Sequence, residues 1–358
     1  MRYPQRVKVL VTGATGFVGS AIAKRLLADG DDVHVLVRDP NRAASHASEG
    51  ARVFVGSIGD PNDVVLAARD CKLVVHAAGI ASHRAAPRAL QWTNVAGTEN
   101  VINAARHVGA KRVVYLSCAD VTLSTEDRYG WNEDRVPSGA LLDAHAQSKR
   151  LAEDLALSAS GIEVCALRPT FLWGPEDATN LPAFCAEGLA ENGIALYGDG
   201  RNVLATLHIE NLVDAVVGAL AGGDVAGRAY YLSDSEFLDA GEVYGMLSKA
   251  CGLPPPRTSS VPLAVSLALA LGRERMRSAG PWRTDIVRRA RSTQFDVSRA
   301  LRDLEWKARV SVEDGMKALG EWVTSKGGAK SIAATARPPV DETSVAAQIA
   351  AAGGARER

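Results

Sequence analysis

Val7-Lys8-Val9-Leu10-Val11-Thr12-Gly13-Ala14-Thr15-Gly16-Phe17-Val18-Gly19 decides the fold. The apolar, β-branched run reads as a buried strand, and the spacing from Ala21-Ile22 to Leu26-Leu27 reads as a helix. Between them stand three glycines at intervals of three. Glycine at such a junction permits a tight turn, lets the backbone approach a pyrophosphate, and lets the helix pack close to the strand. The helix N-terminus then offers N–H groups and the positive end of its dipole to the phosphates. The pattern is GxxGxxG rather than GxGxxG, and a tight strand–helix turn with no ligand is the plain alternative. With a strand before and a helix after, the stretch is read as a dinucleotide site whose residues include Gly13, Thr15, Gly16, Phe17, Val18 and Gly19.

Outward from this loop, strand-like runs recur at 33–37, 52–55, 73–76, 112–117 and 163–167, each followed by a stretch with helical spacing. Short buried strands alternating with amphipathic helices predict an α/β fold, a Rossmann-type doubly wound parallel sheet, with ligands along the carboxyl ends of the strands. The second half is less regular and is punctuated by Trp173-Gly174-Pro175, Tyr197-Gly198-Asp199-Gly200 and Gly252-Leu253-Pro254-Pro255-Pro256. The expected division is a dinucleotide-binding domain over 1–170, with a returning segment near 205–232, and a smaller, mainly substrate-binding lobe over 171–324. The Ala-, Gly-, Ser- and Pro-rich remainder, 325–358, is expected to be a flexible tail with a weak helix-like stretch at Ser344–Ala351.

The 358 residues carry 41 Lys and Arg against 41 Asp and Glu, so overall charge makes no case for nucleic acid or an anionic membrane. Five scattered cysteines, with no CxxC and no metal-ligand spacing, favour free thiols and no metal. The opening MRYPQRVKVLVTG lacks the apolar stretch of a signal peptide, which gives a cytoplasmic expectation. Val261–Leu271 is the most apolar run, but spanning a bilayer takes roughly 20 residues. It reads as a buried helix of the substrate lobe, with contact to a membrane surface as the lesser alternative.

The second strand ends Val37-Arg38-Asp39-Pro40. At that position an acid would hold the adenosine ribose 2′-hydroxyl and an arginine would accept a 2′-phosphate. Arg38 stands in the acid's place with Arg42 nearby, which favours NADP(H) and leaves NAD(H) possible through Asp39.

Taken in order, TGATGFVG (12–19), Val37-Arg38-Asp39-Pro40, His76-Ala77-Ala78-Gly79, Asn94-Val95-Ala96-Gly97-Thr98, Tyr115-Leu116-Ser117-Cys118, Ser148-Lys149, Leu167-Arg168-Pro169-Thr170 and His208-Ile209-Glu210-Asn211-Leu212 resemble the extended short-chain dehydrogenase/reductases. The resemblance covers roughly 6–324 and looks strongest to the 3β-hydroxysteroid dehydrogenase and dihydroflavonol reductase branch. It implies an NAD(P)-dependent oxidoreductase that interconverts a hydroxyl and an oxo group on a small, largely apolar molecule, with a possible homodimer. Ser57, Ile58, Ala77, Ala78, Gly79, Lys149 and Pro169 join the glycine loop and Arg38 as implied cofactor contacts. Sugar-nucleotide enzymes of this family place an arginine where this chain has Leu204, which counts against a diphosphate substrate.

The catalytic motif departs from the family. Its Ser, Tyr and Lys orient the carbonyl, move the proton and grip the ribose. Here Lys149 is present, but His145 stands where Tyr is expected and Cys118 where the second hydroxyl residue is, leaving Ser117 beside it. A spacing of four puts His145 and Lys149 on one helix face. An imidazole of ordinary pKa about 6.5 is near the range an acid–base group needs, and the ammonium of Lys149 would lower it. Three functions stay open: an atypical reductase, a dinucleotide-binding scaffold or sensor without turnover, and an epimerase, dehydratase or other lyase. His76 is expected to have a structural or pyrophosphate-side role, Asn94 to be structural, Glu133 to shape a loop, and Tyr129, upstream on a loop, could swing in as a surrogate acid. His83 and His208 have no partner at recognisable spacing.

Overall fold

The computed structural model describes residues 6–336. Lys8–Thr12 (β1), Asp32–Val37 (β2), Arg52–Val55 (β3), Leu73–His76 (β4), Arg112–Leu116 (β5), Glu163–Pro169 (β6) and Arg228–Leu232 (β7) form one parallel sheet in the order β7-β6-β5-β4-β1-β2-β3. The inner strands are apolar on both faces because helices cover both. Val9, Val11, Val114 and Leu116 pack on one side with Ile22 and Leu26 of Phe17–Ala28 (α1). Leu10, Val113 and Tyr115 pack on the other with Val101, Ile102 and Ala105 of Gly97–His107 (α2) and Ala152 and Ala156 of Ala144–Leu157 (α3). Leu212, Val216 and Leu220 of Ile209–Ala221 (α4) complete the first face. The strand order reverses between β1 and β4, and a ligand crevice is expected above that switch point.

Two ion pairs fix the sheet, one half-buried and one fully buried. Arg112, at the amino end of β5, donates to Glu163 at 2.8 Å and to the carbonyls of Ala219, Gly222 and Gly223 at 2.8, 2.6 and 2.8 Å, closing the C-terminal end of α4. Arg168 of β6 meets Glu153 of α3 through Nη2 at 2.6 Å and Nε at 3.0 and 3.1 Å, and its charge lies over the Tyr231 ring.

A second core gathers Trp173, Leu181, Val243, Tyr244, Leu247, Met316 and Leu319. Ala329 and Ile332 of the helix Gly328–Ala333 are buried in it. Gly328–Ala333 thus packs on this core within the expected tail, whereas Ser344–Ala351 lies outside the described residues.

The expectation of a buried helix at the apolar run is corrected. Leu263–Met276 (α5) is helical, but only Ser266 and Ala270 on it are buried, and Val265 and Leu269 are 48% and 52% exposed. The run is apolar on every side, and Arg283–Ala290 (α6) with the loop at Tyr197 covers one side only. Among the described residues no helix is long and apolar enough to cross a membrane.

Removing one partner of a buried pair strands the other charge, so Glu153→Ala is expected to cost about 3–5 kcal/mol of stability. Denaturant unfolding measures it; a cost near that of a surface substitution would contradict the burial of the pair.

Candidate active site

The glycine loop is shaped by backbone contact. Gly13 has φ +75°, and a Cβ there would lie 2.6 Å from the Ala78 nitrogen. A Cβ on Gly19 would collide with the Gly13 carbonyl, which itself accepts from Gly16 N at 2.9 Å. The loop thus presses against the end of β4 and against the first turn of α1. Gly16 caps α1 with no side chain bonded to the helix N-terminus, leaving its N–H groups to an anion. Thr15, Phe17 and Val18 belong to the same turn, and Ala77, Ala78 and Gly79 form its opposite wall.

Behind this wall a chain of buried hydrogen bonds runs through His76. Its Nδ1 lies 2.7 Å from Thr12 Oγ1 and its Nε2 3.0 Å from Thr98 Oγ1, and burial lowers its pKa to about 3. His76 is a buried, neutral link between Thr12 and Thr98. Asn94 sits in a wide, π-type turn at Gln91–Ala96. It accepts from Ile80 N at 2.8 Å, donates to Ile80 O at 3.1 Å, and donates to Ser148 Oγ at 3.0 Å. It ties the loop after β4 to α3, and Ser148, which also donates to His145 O at 2.8 Å, is spent on that tie.

Asp143 caps α3 by accepting from Ala146 N at 2.7 Å, and its other oxygen accepts from Thr284 at 2.5 Å. This sets His145 and Lys149 on the buried face of the helix, above the end of β5. Lys149 Nζ donates to Leu116 O at 2.7 Å and lies 4.5 Å from the centre of the Tyr115 ring. Burial opposes its charge, yet Tyr115 and Cys118 more than compensate and its pKa is raised. His145 is 4% exposed with Nδ1 unpartnered, and Ser117 Oγ and Thr170 Oγ1 are likewise buried without partners. Three orphaned polar atoms on the loops after β5 and β6 and on α3 are what a site awaiting a polar ligand requires.

Burial holds the His145 pKa at about 4; Asp120 pulls it up and Arg288 pulls it down. The Asp120 carboxylate is in short contact with the Arg288 guanidinium, which α6 brings in from the second lobe. Burial works against the Asp120 charge, but Arg288 and Arg128 hold its pKa at about 2. Burial pushes the Cys118 thiol up to about 12, so it stays protonated. Asp120 and Arg288 were not among the sequence candidates. They stand 168 residues apart, and no local pattern joins them.

At the far end of the crevice Arg38 is exposed beyond β2, while Asp39 accepts from Asn41 N at 3.0 Å and caps the turn that follows. Arg42 Nη2 donates to Thr15 O at 3.0 Å, which joins this turn to the glycine loop. Ser57 and Ile58 follow β3, held by Ser57 N to Asp63 at 2.9 Å and by Asn100 to Ile58 O at 2.9 Å. Pro169 ends β6.

The remaining candidates lie apart. Tyr129 is 63% exposed, away from the buried His145 and Lys149 in this conformation. Glu133 accepts from Tyr231 N at 2.9 Å and so pins its loop to β7. His83 Nε2 is 3.2 Å from Asp285, and His208 packs edge-on against Trp173. Leu204 is buried.

Gly13→Ala combines a disfavoured positive φ with a clash against backbone, and both fall on the phosphate loop. The expected outcome is loss of dinucleotide binding by calorimetric titration, in a chain whose melting temperature is lowered. Unchanged binding would mean that the loop does not carry the phosphates.

Residues 9–232 match the family described as NAD dependent epimerase/dehydratase. A 2-alkyl-3-oxoalkanoate reductase of Shewanella oneidensis is 32% identical over 86% of this chain and 84% of its own length. One of Stenotrophomonas maltophilia, with the same activity name, is 31% identical over 87% of this chain and 98% of its own. Among solved structures, a double mutant of the dTDP-glucose 4,6-dehydratase DesIV of Streptomyces venezuelae, with NAD bound, superposes with a TM-score of 0.70. It is 25% identical and covers 88% of this chain and 96% of its own. The chain belongs to the NAD dependent epimerase/dehydratase family, as an oxidoreductase of the extended short-chain dehydrogenase/reductase type.

Proposed function

We propose that the protein is an NADP(H)-linked ketoreductase in which His145 takes the place of the usual tyrosine. The substrate proposed is a 3-oxo acid or related ketone with alkyl chains, in line with the activity named for the two bacterial relatives. The observation that carries the reading is the pairing of His145 and Lys149 on one buried face of α3. Lys149 is bonded to Leu116 O, and His145 stands beside an acid, Asp120.

In this reading the backbone from Gly13 to Gly19 holds the pyrophosphate, and Ser57, Ile58 and Ala77–Gly79 flank the adenosine. Lys149 holds the nicotinamide ribose, with Pro169 on the nicotinamide side. When bound there, the nicotinamide would supply the hydride for the reduction. Ser117 Oγ, buried and unpartnered, orients the substrate oxygen. Cys118, a protonated thiol, is a weak donor and adds little. His145 gives the proton to the oxygen in reduction and takes it in oxidation, with Asp120 stabilising the imidazolium and Arg288 limiting that effect. The preference for NADP(H) rests on Asp39 being engaged in its own turn while Arg38 and Arg42 bracket the position of a 2′-phosphate.

Two outcomes are expected. His145→Phe abolishes turnover and leaves NADPH affinity within about twofold of the parent, the pattern of an interaction made only in the transition state. In the parent, kcat/KM for reduction rises as pH falls from 7 towards about 4, because only the imidazolium fraction donates readily. A flat profile, or activity surviving the Phe variant, removes His145 from the chemistry. Tight NADPH binding with no reduction of any 3-oxo substrate would favour the scaffold reading. Separately, Arg38→Ala weakens NADPH by about tenfold or more, the size of a hydrogen bond to a charged group, and leaves NADH little changed; equal losses would contradict the preference.

A further inference from the structure

α5 is apolar on every side yet covered on one. At about 100° per residue, Leu263, Ser266, Leu267 and Ala270 share the inner side, packed with Ile286 and Val287 of α6. The outer side carries Val261, Ala264, Val265, Ala268, Leu269 and Met276, all exposed, the last by 74%. Helices apolar all round are buried in protein or in lipid, and soluble surfaces rarely leave such a stripe open. The charges at its end are of one sign. Arg275 and Arg277 are exposed beside Arg273, and the acid among them, Glu274, is occupied by Arg283 through bonds of 2.6 and 2.8 Å.

We propose that α5 lies flat on an anionic lipid surface. The stripe from Val261 to Met276 sits at the acyl boundary, with Arg275 and Arg277 among the headgroup phosphates. The helix is too short to span: its 14 residues rise roughly 21 Å against a hydrocarbon core of about 30 Å. Interfacial helices take this form, with apolar area supplying the affinity and cations supplying the preference for anionic lipid. A parallel contact with a second copy along the stripe would bring like arginine clusters together, with Glu274 already bonded to Arg283. The proposal holds whether or not His145 turns over a substrate.

The test is co-sedimentation of the full chain with phosphatidylcholine vesicles, with and without phosphatidylglycerol. Binding is expected with the anionic vesicles and should weaken as salt is raised. Val265→Asp and Leu269→Asp should each weaken it by about tenfold or more. Arg275→Ala and Arg277→Ala should weaken it by about fivefold each. Val265, Leu269 and Arg275 are exposed, so melting temperatures of their variants should stay at the parent value; Arg277 also donates to Arg84 O at 3.2 Å, so its variant is read only where its melting temperature matches. Absence of binding to either vesicle, or binding that survives both aspartates, overturns the proposal. A concentration-dependent dimer abolished by Leu269→Asp, without vesicle binding, overturns it in favour of an interface between copies.

Discussion

Helix α3 cannot slide on the sheet, because buried polar groups hold it at several points. Asp143 holds its first turn and reaches Thr284 of the second lobe; Ser148 is held by Asn94, Lys149 by Leu116 O, and Glu153 by Arg168. A slide of one residue would leave an ammonium, a carboxylate and a guanidinium in low dielectric without partners. That cost far exceeds anything gained by repacking alanines. The apolar contacts of α3, chiefly Ala152 and Ala156, set only its distance from the sheet. The charged ones set its register, and the register places His145.

The exchange of a phenol for an imidazole changes what the neighbours must do. Beside Lys149, a tyrosine is helped toward its ionised form, whereas an imidazole is pushed toward its neutral form, and burial pushes it the same way. Asp120 opposes that push and Arg288 keeps Asp120 ionised inside the protein, but burial still holds the imidazole at about 4. The departure at 145 is thus accompanied by an acid and a base that act on the same group.

Short-range features were legible in the sequence, and long-range pairings were not. The glycine loop could be read because strand, turn and helix are consecutive, and because Gly13 and Gly19 answer to contacts within that unit and with β4. The alternation of runs gave the sheet, and the spacing of four gave the shared face of His145 and Lys149. The Asp120–Arg288 pair joins residues on different lobes, and Asn94 meets Ser148 across 54 residues through a turn wider than the helical period assumed in reading the segment. The role of Asp39 was legible only as a choice between two adjacent residues. A backbone bond two residues away commits it to the turn.

Composition misled most at α5. A continuous apolar run does not say how many sides of a helix will find partners, and here α6 and the loop at Tyr197 cover one side where full burial was expected. The zero net charge of the whole chain is silent on such a local patch. Exposed charges act over about a Debye length, roughly 8–10 Å, so the balance of 41 against 41 says nothing about a patch of that size. What governs the patch is that Glu274 bonds inward to Arg283 while Arg275 and Arg277 face out. Because α5 rests on α6, and α6 carries Arg288 to Asp120, a surface that holds α5 would also bear on the substrate side of the candidate site.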